Sequence, residues 1–156
     1  MISAEGIANI LDEQISSYRK LVELLQNERA CLVDLDAEGM ERLVKEKDTL
    51  TFRLRLLDEE RTRLIGRFCE ENPAAGPPGE LNLERLAAVT GDTGFLDMRS
   101  KLISLVQNIE ELNSFNRMLI ERSLGHVQST RNFFSSFGNP ADPGREGKGT
   151  LISRET

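Results

Sequence analysis

The chain has 156 residues, 38% of them hydrophobic and 29% charged, with no Trp and one Tyr, a profile that suits extended amphipathic helices better than a thick globular core. Its net charge of −6 argues against a nucleic-acid partner, because binding a phosphate backbone needs a basic patch. No apolar run is long enough to cross a bilayer, and Met1–Glu5 has neither a basic start nor an apolar stretch after it, so a cytoplasmic protein with no integral membrane segment is expected.

Residues 3–35 carry an apolar stripe at steps of three and four: Ala4, Ile7, Leu11, Gln14, Tyr18, Leu21, Leu25, Glu28, Leu32, Leu35, widened by Ile15 and Val22. This predicts a long helix with a coiled-coil-like seam. The stripe then slips by one position. Its continuation is Met40, Leu43, Leu50, Leu54, Leu57, Leu64 and Phe68, with Lys47 and Arg61 on the same seam. The slip, with Asp36 as a candidate N-cap, argues for a break near residues 34–39 and a second helix over 37–71. One long bent helix is the alternative, since no Pro enforces the break. Lys47 and Arg61 either lay their methylenes along the seam and keep their charge wet, or meet a partner carboxylate.

Residues 72–79 hold three Pro and two Gly and form a linker. Leu83, Leu86, Ala87 and Val89 suggest a short helix over 81–90 that ends at Gly91, and Asp92 or Thr93 then caps a third long helix over 93–137. Its seam reads Phe95, Arg99, Leu102, Val106, Ile109, Asn113, Asn116, Ile120, Ser123, Val127, Thr130, Phe134, Phe137. The upper half is apolar; the lower half is mixed, and Gly125 weakens the helix there by about 1 kcal/mol relative to Ala. An interrupted stripe of this kind serves as a docking face or closes a bundle. From residue 138 the apolar period vanishes, so 138–156 is expected to be a flexible tail. The fold class is all-α: a long antiparallel helical hairpin plus a third long C-terminal helix in a coiled-coil-like bundle, with residues 1–137 forming a single domain.

Nothing in the pattern points to chemistry. Gly144–Thr150 lacks the Gly-Lys-[Ser/Thr] ending of a phosphate loop and follows no strand. Cys31, Cys69 and His126 cannot make a zinc quartet, and the two thiols are too far apart for a disulfide in either helical arrangement. Neither an enzyme nor a cofactor is expected.

The residues do resemble a family. Leu11, Tyr18, Leu21, Leu24, Leu25, Glu28, Leu32, Asp36, Leu43, Lys47, Leu50, Leu54, Leu57 and Arg61 match a spaced pattern of the FlgN-type flagellar export chaperones. The segment Leu112–Leu124, with Asn113 and Asn116 ahead of a Leu-rich stretch, looks like that family's Asn-x-x-Asn motif. The step Phe137-Gly138 looks like its aromatic-Gly ending, although Phe stands where Tyr is usual and Asn-Pro-Ala-Asp-Pro is inserted before Gly144. The resemblance implies a C-terminal helix that captures the helical C-terminal segments of the hook–filament junction proteins FlgK and FlgL. It also implies docking to the export-gate protein FlhA. Carried onto this chain, the client face is Asn113, Asn116, Leu119, Ile120, Ser123, Leu124, Val127 and Phe134, and the gate contact is Phe137. The rival reading is a structural coiled-coil protein that only self-assembles; a weak homodimer is compatible with either.

Overall fold

The computed structural model describes residues 4–137. Four α-helices follow in order: α1 Ala4–Asp34, α2 Ala37–Glu71, α3 Leu83–Thr90 and α4 Gly94–Ser136, and there is no strand among the described residues. The all-α hairpin with a further long helix is therefore the fold. The tail 138–156, including Gly144–Thr150, lies outside the described residues. The chain divides into two units, Met1–Asn116 and Arg117–Thr156, and α4 enters both.

The break between α1 and α2 has a definite chemistry. Leu35 takes the left-handed region at φ 55°. The Asp36 N–H reaches back to the Cys31 carbonyl at 2.9 Å, the long bond of a Schellman turn. Asp36 then caps α2, its Oδ1 accepting the Gly39 N–H at 2.9 Å. Gly39 is required at this corner: a Cβ there would lie 2.7 Å from Cys31 Sγ and closer still to the Asp36 carboxylate. Leu35, expected on the α1 stripe, is instead 77% exposed. The reversal of chain direction takes its side chain out of helical phase.

The rest of the hairpin follows the expected seams. Ile7, Leu11, Gln14, Leu25 and Glu28 of α1 are buried, as are Leu43, Leu57, Leu64 and Phe68 of α2. The two helices run antiparallel, so Ile7 and Leu11 share one core cluster with Leu64 and Phe68. Each side chain fully buried in this way contributes about 1.5–3 kcal/mol. Arg61 on the seam pairs with Asp58 within its own helix.

The linker does more than connect. Pro73–Ala75 and Pro78–Glu80 form single turns of 3₁₀ helix, and Ala75 is completely buried in the same cluster as Phe95 and Leu86. Arg85 of α3 reaches back to the Ala75 carbonyl through Nε at 2.9 Å. Gly91, at φ 76°, closes α3 with its N–H on the Ala87 carbonyl, and Asp92 Oδ1 accepts the Gly94 N–H at the start of α4.

Within the first unit α4 runs parallel to α1. Phe95 packs with Ile7 and Leu11, and farther along Ile109 and Leu112 pack against Leu25. The inward face of α4 is one position out from the expected seam at every second step. Phe95, Met98, Leu102, Leu105, Ile109, Leu112 and Asn116 are buried or half-buried, whereas Arg99, Val106 and Asn113 are exposed. Apolar residues occupy both Leu105 and Val106, so either choice satisfies part of the pattern. Met98 and Leu112 beside Arg99 and Asn113 decide the matter, because burying the apolar pair leaves the arginine and the asparagine in water.

The corner makes a pair of stability predictions. Leu35→Gly should raise stability by about 1 kcal/mol, since an exposed leucine in the left-handed region carries steric strain that glycine lacks. Gly39→Ala should lower it. Both are read as shifts in the urea midpoint at unchanged slope. A lowered midpoint for Leu35→Gly would mean that the leucine side chain holds the corner.

Candidate functional site

Three long helices meet at one buried carboxylate. Glu28 of α1 is 5% exposed. Its Oε2 accepts from Lys47 Nζ of α2 at 2.7 Å, and its Oε1 accepts from Asn116 Nδ2 of α4 at 2.9 Å. Asn116, only 2% exposed, also donates to the Leu25 carbonyl at 3.0 Å. A carboxylate out of water needs a countercharge and hydrogen bonds on both oxygens, and here each oxygen has one. Asn116 Oδ1 is buried without a partner among the described residues. Nearby, the Arg29 guanidinium lies 4.8 Å over the Phe115 ring, adding a cation–π contact from α1 to α4.

Lys47 thus has the partner carboxylate that the sequence left open, and Asn116 occupies a different place from the other residues of the expected client face. It faces α1 from the first unit, with its amide hydrogens used there. Asn113, also in the first unit, is exposed. The signal for the cluster was present in the two seams: the hairpin brings Glu28 level with Lys47 in the same register that aligns Leu11 with Leu64. What no pattern announced was the third member from α4.

The second unit carries the remaining expected residues. Leu119 and Ser123 are half-buried, Ile120 is exposed, and Leu124, Val127 and Phe134 are 64%, 59% and 67% exposed. Ile120, Leu124, Val127 and Phe134 fall at helical steps of four, three and seven and form one apolar stripe. Phe133 stacks edge-on against both Phe134 and Phe137, with ring centroids 5.6 and 4.8 Å apart. Phe137, just past the end of α4, is 69% exposed. These apolar side chains are gathered on one face of α4 and left in water.

Burial pushes the Cys69 thiol up, and both desolvation and the neighbouring Asp36 carboxylate push Cys31 up, so neither is poised as a nucleophile. Both cysteines are free. Among the described residues no group of three or more His, Cys, Asp or Glu could hold a metal ion, and no helix is long and apolar enough to cross a membrane.

The family profile described as FlgN protein matches residues 1–143. The chain belongs to the FlgN family. It is a flagellar chaperone by that membership. No curated protein and no solved structure matches it.

The buried cluster makes a prediction of its own. Lys47→Met should destabilise the chain by about 2 kcal/mol, because it strips the countercharge from a buried carboxylate while Lys47 itself keeps some solvent contact. Adding Glu28→Met should recover part of the loss. Glu28→Met alone completes the cycle: a double-mutant loss equal to the sum of the two single losses would mean that the two side chains act independently.

Proposed function

We propose that this FlgN-family chain is a cytoplasmic export chaperone that captures the helical C-terminal segments of FlgK and FlgL, prevents their premature association and delivers them to the export gate. The observation that carries the reading is the exposed apolar stripe of α4. The proposed client face runs along Leu119, Ile120, Ser123, Leu124, Val127 and Phe134, with Phe137 left for docking to FlhA. Carriage of this kind needs no active site. It needs an apolar surface that shelters a partner helix and lets it go. A client tail that orders on binding spends part of the contact energy on ordering, which lowers net affinity and favours release. Asn116 is spent within the first unit, where its hydrogen bonds to Glu28 and the Leu25 carbonyl hold that part of α4 in place.

Calorimetric titration with the C-terminal segments of FlgK and FlgL tests the proposal. Saturable binding is expected, and Ile120→Asp with Val127→Asp should abolish it while circular dichroism stays largely unchanged. Wholesale loss of helicity in that variant would make the stripe structural. No binding by either segment, together with stable self-association, would favour the self-assembling coiled coil. Phe137→Ala should spare client binding and weaken docking to the FlhA cytoplasmic domain; equal loss of both would remove the division of labour.

A further inference from the structure

The part of the α4 stripe made by Ile120, Leu124 and Val127 lies between two cations. Arg117 precedes it and Arg131 follows it on the same face, ahead of Phe134, and both are exposed. They are two heptads apart, roughly 21 Å along the helix axis. Neither they nor Arg122 makes an ion pair with any described residue. Residues 117–137 contain these three arginines and one acid, Glu121, a net charge of +2 in a chain of net −6. The exposed apolar stripe therefore sits in a positively charged segment of an acidic protein.

The spacing also bears on self-association. Leu124 is midway between Arg117 and Arg131. If two copies paired antiparallel through this stripe about Leu124, Arg117 of each would face Arg131 of the other; if they paired parallel in register, each arginine would face its own counterpart. Both arrangements set like charges together, which disfavours a second copy as occupant.

We propose that this stripe selects an amphipathic helix whose apolar face is bracketed by acidic residues about two heptads apart, and that the two arginines discriminate both for that partner and against self-pairing. The proposal rests on the client-binding reading and adds a charge rule to it.

The probes are two synthetic amphipathic helical peptides with the same apolar stripe, one with glutamate and one with lysine at the bracketing positions. Calorimetry at low ionic strength should show the glutamate peptide binding the full chain about tenfold more tightly, as expected of two exposed pairs gained against two repulsions. The preference should collapse near 1 M salt, where the Debye length falls to about 3 Å. In the variant Arg117→Glu with Arg131→Glu it should reverse, with the lysine peptide now the tighter ligand, a gain that misfolding could not produce. Equal binding of both peptides by the unmodified chain, or an unchanged preference in the variant, would overturn the charge rule, as would sedimentation showing that the unmodified chain dimerises through this stripe. The client segments titrated in parallel separate the two claims. FlgK or FlgL segments that bind the chain and its charge-reversed variant equally would leave the chaperone reading standing and sink the charge rule, whereas segments that bind neither would sink the chaperone reading.

Discussion

The first unit is organised around the carboxylate of Glu28. Because it is buried, it tolerates only an arrangement that brings Lys47 and Asn116 to its two oxygens. Lys47 fixes the register of the hairpin, since sliding α2 by one helical turn would leave the carboxylate without its countercharge. Asn116 fixes how α4 lies against α1, because only one placement lets its amide reach both Glu28 and the Leu25 carbonyl. Hydrophobic burial along the seams supplies most of the favourable free energy, but leucines at heptad spacing fit one another almost as well one turn up or down. A buried polar cluster is far less forgiving, and that is its use here.

The same constraint determines what α4 has left to offer. The face from Phe95 to Asn116 is consumed by α1 and the linker. Rotated by one residue position is a second face whose apolar members stay in water. In the second unit these are Ile120, Leu124, Val127 and Phe134. On the proposed reading, the chain must remain folded while keeping an apolar surface open to a client. The first unit's part of α4 is committed to the hairpin, and the exposed apolar residues lie in the second unit. On the charge rule proposed above, Arg117 and Arg131 limit what can lie on Ile120, Leu124 and Val127.

Much of this was legible from residue spacing. The seams of α1 and α2, the cap at Asp36, the stop at Asn72 and the short helix closed by Gly91 all follow from local rules that involve few distant partners. The misreadings arose where two adjacent residues could satisfy the same pattern. Leu105 beside Val106 left the face of α4 undetermined by one position, and Leu35 continued the stripe on paper while the chain was already turning. Asn116 was placed on the correct helix and read as available to a client. Its burial depends on Glu28 and Leu25, which are some ninety residues away in the chain.

The sequence alone determined an all-helical chain and a family whose members are flagellar chaperones, and it pointed to most of the helix ends, because heptad spacing, capping residues and helix breakers act over a few neighbouring residues. Only the tertiary structure decided that α4 runs parallel to α1, which of its two adjacent stripes is spent on the hairpin, and that Glu28, Lys47 and Asn116 close on one another. Those outcomes depend on matching side chains across three helices, and in particular on where a buried charge can find both of its partners.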